Sequence, residues 1–219
     1  MSIAAYLRYA APQTFYSLAG RLVPWLAAGA VLAATAGLYV AFFVTPTDAE
    51  QGEVYRIIFV HVPAAWMSMF IYVVMAFWAA VGLALNTRLA FMIAHALAPT
   101  GAMFTFLALW TGAIWGKPTW GAWWVWDARL TSELILLLLY LGSMALNAAI
   151  DDPRRADRAC ALLALAGTLN LPLIYYSVPN IAGNLPLQGV FIMAAAFWLY
   201  SAALAFARVR CVILEAEAA

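Results

Sequence analysis

The chain has 219 residues, 67% of them hydrophobic and 10% charged, with a mean hydropathy of +0.91, against roughly 25% charged residues in a soluble domain. This composition belongs in a lipid bilayer, and a net charge of +1 leaves no basic field to hold nucleic acid. Spanning helices need about 20 apolar residues each, and the long Ala/Leu/Val runs lack the alternation of barrel strands, so the expected fold is all-α, a polytopic transmembrane bundle.

Six apolar runs are predicted to cross the membrane, at about 24–44, 62–85, 93–114, 132–150, 159–177 and 187–207, within a single membrane domain spanning 1–219. The first follows Arg8 and Arg21 and exceeds the roughly 7–15-residue core of a signal peptide, so it is read as a span, not a cleaved leader. Short connections hold nearly all the charge and the turn formers. Cys160 and Cys211 form no C-x-x-C pair and read as apolar-interface residues.

Lys and Arg are retained on the cytoplasmic side. With both termini cytoplasmic, eight cations lie inside (Arg8, Arg21, Arg88, Arg154, Arg155, Arg158, Arg208 and Arg210) and three outside (Arg56, Lys117 and Arg129). The connections before the second span, between the third and fourth, and between the fifth and sixth then face the outer compartment, which is the periplasm if the source is a Gram-negative bacterium. The unusual residues cluster there.

Five of the ten tryptophans fall in Trp115-Gly116-Lys117-Pro118-Thr119-Trp120-Gly121-Ala122-Trp123-Trp124-Val125-Trp126-Asp127. An interfacial belt needs one or two rings per helix end, not five in one connection. Gly116 and Pro118 are expected to break the third span, and Trp120, Trp123, Trp124 and Asp127, at i, i+3, i+4 and i+7, to share one face of a short interfacial helix. Trp126 falls on its other side. Asp127 is expected to cap the fourth span, and Glu133 to pair with Arg129 at i+4. Indole rings with an N–H at the margin suit a planar apolar ligand with polar edges, and Arg129, Lys117 and Arg56 suit its carboxylates or lipid headgroups.

His61 stands just ahead of Pro63, a residue suited to the first turn of a helix. The positive end of the helix dipole disfavours a protonated imidazole there and leaves a nitrogen lone pair for a metal. A flat apolar ligand with anionic edges and an iron that accepts nitrogen describes haem. His95 is separated from His61 by the second span, roughly 30 Å at 1.5 Å per residue, so it cannot share that iron. It is expected to sit at an interface or hydrogen-bond a neighbouring helix. No G-x-x-x-x-G-K-[ST] sequence is present, so ATP-driven work belongs to a partner.

The stretch from Trp115 to Leu134, with Ile-Phe-Val-His61-Val-Pro-Ala-Ala-Trp-Met-Ser-Met, resembles the tryptophan-rich WWD signature of haem-handling proteins of cytochrome c assembly. The six-span length resembles the cytochrome c maturation protein C, or haem exporter protein C, family. The resemblance implies haem b held on the periplasmic face of the bacterial inner membrane, with His61 as axial ligand and metal contact. It assigns Trp115, Trp120, Trp123, Trp124, Trp126 and Asp127, with Gly116 and Gly121 between them, to the binding platform, beside Arg56 and Arg129. It implies delivery to a membrane-anchored periplasmic haem chaperone, working with an ABC transporter and a small one-helix membrane protein. No standard enzyme chemistry follows, and assistance in covalent attachment of haem to the chaperone stays open.

The family's second axial histidine follows Tyr-Ser-Val in the last outer loop, where this chain reads Tyr176-Ser177-Val178-Pro179 and continues to Gln188 without a histidine. Bis-histidine ligation from this chain is excluded. Two other classes compete: a haem-b membrane anchor of a respiratory enzyme, which needs paired histidines within its helices, and a small-molecule permease, which needs polar residues near the bilayer midplane beyond Asn170 and Thr105.

Overall fold

The computed structural model describes residues 11–177 and 187–218. Among them the regular structure is helical, apart from an isolated bridge between Asp48 and Gly52, and six helical spans are long and apolar enough to cross a membrane. In chain order the helices are α1 (Pro12–Tyr39), α2 (Ile58–Leu85), α3 (Arg88–Trp120), α4 (Ala128–Ala149), α5 (Pro153–Gly167), α6 (Leu171–Ser177) and α7 (Leu187–Ala218). The helices extend past the apolar runs that mark them in the sequence, because backbone hydrogen bonding continues into residues too polar for the bilayer core.

Local chemistry sets the joints. Helix α1 ends in a π-turn, Val40–Val44, in which Val40 O accepts from both the N–H and the hydroxyl of Thr45 at 2.9 Å. Asn86, in the left-handed region at φ 50°, closes α2 and lets α3 turn back beside it. Asp152 caps α5 by accepting from Arg154 N and Arg155 N ahead of the favourable Pro153. A 3-10 turn at Thr168–Asn170 separates α5 from α6, whose second residue is Pro172, and the two together make one span.

Helix α3 is the most enclosed span, packed between α2, α4 and α7. One large core runs through α2, α3, α4, α5 and α7, centred on Tyr72, Met75, Phe104, Leu136 and Tyr140. A smaller one, built on Ala41, Ile58, Phe59, Val62 and Val190, closes the end where the Trp-rich connection lies. Two polar side chains inside the bundle find partners across helices, Tyr140 donating to Ser68 O at 2.8 Å and Asn170 Nδ2 donating to Ser132 O at 2.8 Å, while the Tyr72 hydroxyl is buried without one among the described residues. At the opposite end Arg208 reaches α3, donating to Ala96 O and Thr100 Oγ1 beside Pro99.

Three sequence expectations are corrected. Helix α3 is not broken at Gly116 and Pro118 but continues to Trp120, because the orphaned groups of its last turn are satisfied locally. Thr119 Oγ1 donates to Trp115 O at 2.6 Å, and Gly121, at φ 79°, donates its N–H to Lys117 O at 3.1 Å. The short interfacial helix is absent: residues 121–127 form no helix of their own and return as an irregular strap. Glu133 does not pair with Arg129. It lies on the buried face of α4 with Leu136 and Tyr140, and Ser68 Oγ donates to it at 2.8 Å.

Tyr140 packs where Gly101 lacks a side chain, a Cβ at Gly101 falling 2.1 Å from the ring. Gly101→Ala should therefore lower the thermal unfolding temperature of the purified protein by several degrees, at the upper end of the roughly 1–3 kcal/mol of overpacking. Gly142→Ala, whose new Cβ would meet Leu163 at an ordinary 3.8 Å, should change it little. Equal effects would show that the Gly101 contact does not hold α3 to α4.

Candidate functional site

The constellation is assembled by three connected pieces: the first outer loop, the adjoining ends of α2 and α3, and the strap between α3 and α4. Asp48 turns the first loop by accepting from Glu50 N and Gln51 N at 3.0 and 2.8 Å. Arg56, its side chain only 13% exposed, pairs with Glu53 at 2.5 Å and donates to the carbonyls of Ala41 and Thr45. This guanidinium fastens the loop to the end of α1. Gln51 is thereby held over α3, where its Oε1 accepts from Trp115 Nε1 at 2.7 Å.

His61 lies in the first turn of α2 rather than ahead of it, since a 3-10 turn at Glu53–Ile57 starts the helix earlier than Pro63 suggests. Its ring crosses to α3, with Nδ1 2.9 Å from Thr111 Oγ1. Gly112 makes room, because a Cβ there would stand 3.1 Å from His61 Cε1. Trp115 closes the ring edge-on, at 5.6 Å between centroids and 73° between planes. The Ala108 carbonyl, one turn before Thr111 on α3, also accepts from this ring.

From Trp115 the aromatic surface continues to Trp120, at 6.2 Å and a tilt of 37°. The Arg129 guanidinium lies 5.5 Å from the Trp120 centroid and 3.4 Å from Asp127 Oδ2, so one cation links α3 to the start of α4. Asp127 Oδ1 accepts from Leu130 N at 2.7 Å, the N-cap of α4. Lys117 Nζ donates to Gly121 O at 3.1 Å across the turn. Gly116 is buried beneath the strap, where a Cβ would come within 3.1 Å of Ala122 O and 3.3 Å of the Trp120 ring. It acts as the seat of the returning strap, not as a helix breaker.

Without the interfacial helix, Trp120, Trp123 and Trp124 do not share a helical face. Trp120 is 62% exposed on the last turn of α3, Trp123 58% and Trp126 78%. Trp126 does not point away alone; it meets Trp124 edge-on at 5.4 Å. The Trp124 Nε1 hydrogen is buried and has no partner, a donor left for something that the described residues do not supply. The site therefore offers one imidazole nitrogen, one orphan N–H, exposed indole faces and the Arg129 cation. No group of three or more His, Cys, Asp or Glu capable of holding a metal occurs among the described residues.

His95 lies at the other end of the bundle, its Nε2 2.9 Å from Asp157 Oδ1 on α5. That is the inter-helix hydrogen bond expected of it. A cavity of about 10 Å³ beside this pair, next to Cys160, admits nothing larger than water. Cys160 is buried against Ser143 O, and Cys211 is exposed. The segment after Ser177, where the family pattern would put a second histidine, lies outside the described residues up to Pro186.

Thr111, Gly112 and Gln51 escaped the sequence reading. A Thr-Gly pair inside an apolar run was the available signal, but nothing in one sequence says which helix face His61 meets.

The profile of the family described as Heme exporter protein C matches residues 5–185. Heme exporter protein C of Escherichia coli strain K12 is 53% identical over 169 residues, covering 77% of this chain and 69% of that protein. Heme exporter protein C of Bradyrhizobium diazoefficiens is 52% identical over 167 residues, 76% of this chain and 63% of its own length. That of Haemophilus influenzae is 45% identical over 170 residues, 78% and 69%.

The Asp127 geometry makes a prediction. Asp127→Asn keeps an oxygen for Leu130 N–H and should change stability by a few tenths of a kcal/mol, whereas Asp127→Ala should cost about 1 kcal/mol, the usual worth of an N-cap. Thermal unfolding of the two variants reads the difference. If Asn is as damaging as Ala, the carboxylate charge beside Arg129 is what matters, not the cap.

Proposed function

We propose, because the chain belongs to the heme exporter protein C family, that His61 and the Trp115–Trp126 surface hold haem for delivery to a periplasmic acceptor. Haem handling in cytochrome c maturation is the function that this membership carries, and the protein is a multi-pass membrane protein. A respiratory haem-b anchor and a permease are not favoured, since the relatives are named heme exporters.

The single observation that carries the site assignment is His61, whose ring meets Trp115 edge-on at 5.6 Å, with the exposed Trp120 next beyond at 6.2 Å. Haem b would supply an iron that accepts an imidazole nitrogen, and its flat apolar macrocycle suits stacking on aromatic faces. The residues present suit such a group: an imidazole to ligate it, tryptophans to stack on it, and Arg129 to meet carboxylates at its edge. Asp127 does not face the cargo in this reading. It holds the strap and turns Arg129 toward Trp120. Arg56 shapes the loop that carries Gln51, and its remaining N–H groups can meet a carboxylate at the rim.

The chain in this reading lies in the bacterial inner membrane with both termini cytoplasmic and the His61 end periplasmic. Arg56, Lys117 and Arg129 stand at the His61 end, while Arg21, Arg88, Arg154, Arg155, Arg158, Arg208 and Arg210 gather at the other, and the positive-inside tendency supports that orientation. The partners are a membrane-anchored haem chaperone, an ABC transporter that supplies the ATP hydrolysis this chain has no loop for, and a small one-helix membrane protein.

Two experiments test the reading. His61→Ala should remove the imidazole character of the haem absorption spectrum, and His95→Ala, 34 residues further along the chain and bonded to Asp157, should leave it. Equal loss from both would overturn the ligand assignment. For orientation, single cysteines at Thr119 and Ala156 in intact cells should react differently with an impermeant thiol reagent, position 119 labelling and position 156 not; the reverse pattern would invert the topology.

A further inference from the structure

Resting on the reading of His61 as the nitrogen ligand, we propose that Thr111 is a positioning residue. Its hydroxyl fixes the neutral His61 ring in the tautomer that carries hydrogen on Nδ1 and keeps the lone pair on Nε2.

Thr111 Oγ1 lies 2.6 Å from Leu107 O and 3.3 Å from Ala108 O within its own helix. Two oxygens at 2.6 Å need a hydrogen between them, and a hydroxyl has only one. Toward His61, 2.9 Å away, Thr111 therefore presents a lone pair, and the ring nitrogen is the donor. The Ala108 carbonyl, 3.3 Å from Thr111 Oγ1, also accepts from this ring; a neutral imidazole has a single N–H, so with that hydrogen on Nδ1, facing Thr111, Nε2 is left as acceptor or ligand.

The surroundings reinforce the assignment. Both residues sit within helices at a seam between α2 and α3, so the bond is not held by a loop. Gly112 lets the ring lie against α3, with its Cε1, Nδ1 and Nε2 at 3.1, 3.7 and 4.0 Å from the position a Cβ would take. The chain's other histidine is set the opposite way: His95 Nε2 meets the Asp157 carboxylate at 2.9 Å, and an acceptor-only carboxylate requires the hydrogen there. One ring is thus arranged to offer Nε2 and the other to withhold it. Second-layer partners that orient a ligating histidine typically change metal affinity by about 10–100-fold when removed.

The test uses the full chain in lipid nanodiscs with ¹³C,¹⁵N-labelled histidine. Because the chain has only two histidines, the haem-free ring spectrum resolves both, and His95→Gln assigns them. His61 should carry hydrogen on Nδ1 and His95 on Nε2. In Thr111→Val, which keeps the shape and removes the hydroxyl, the Nε2–H form of His61 should appear, and retention of added iron protoporphyrin should fall about 10–100-fold. Thr111→Ser should restore both. A wild-type His61 protonated on Nε2 would overturn the proposal, as would Thr111→Val retaining haem like wild type while His61→Ala loses it. Should Thr111→Val fail to fold, the wild-type and Thr111→Ser spectra still decide. Haem retention unaffected by His61→Ala would instead overturn the ligand reading, and the haem-free spectrum separates that failure from this one.

Discussion

Helices inside lipid gain nothing by hiding apolar surface from one another, because an acyl chain is an equally apolar neighbour. Association then depends on close fit and on polar groups finding partners within the protein. In this bundle the fit is made by aromatic rings seated where a glycine has no side chain: Phe91 on Gly82, Tyr140 on Gly101, Tyr72 on Gly167 and Phe59 on Gly189, each closer than 3 Å to where a Cβ would stand. These contacts join α2 to α3, α3 to α4, the end of α5 to α2, and α7 to α2. Helices α2 and α3 are therefore fixed against one another from both sides, and the His61–Thr111 contact inherits that rigidity.

The same constraint explains the polar interior. Ser68 on α2 meets Glu133 on α4 through its hydroxyl and receives Tyr140 through its carbonyl, so one residue joins two positions of the facing helix. Asn170, at the 3-10 turn between α5 and α6, donates back to Ser132. A surface carboxylate on a soluble helix has water as an alternative, which is why i+4 pairing is a fair first expectation for Arg129 and Glu133. Inside a bundle the face decides instead. Glu133 shares its face with Leu136 and Tyr140, and the nearest acceptor for Arg129 is Asp127, at the mouth of the same helix.

This contrast shows what the sequence makes legible. The spans were readable because bilayer thickness imposes a length on every apolar run, and Asp127 as a cap because capping is local. His95 as an inter-helix hydrogen-bonder was readable from its place across a span from His61. The continuity of α3 through Pro118 was not, since a proline's effect depends on whether the freed groups find partners, here through Thr119 and Gly121. Nor was the form of the strap: i, i+3, i+4 spacing fits a helical face, yet Gly121 at φ 79° ends the helix before the pattern can be used. Thr111 and Gly112 required the packing of two helices, information that lies between segments rather than within one.

The two halves of the site differ in a way that matters for a protein that passes its cargo on. His61 is held by helix α2, by the Thr111 hydroxyl and by the shape of Gly112, so its geometry is set by the bundle. Trp123 and Trp126 stand on residues 121–127, which form no helix, and are largely exposed, while Trp124 is half-buried. Stacking on an exposed ring is worth about 0.5–1.5 kcal/mol beyond the area covered, and is tolerant of small displacements. Ligation by a preoriented imidazole is directional and loses strength quickly when misaimed. In the proposed reading a flat ligand would have one rigid anchor at His61 and several yielding aromatic contacts, and a partner taking it would need to replace only that anchor, with no helix unfolding.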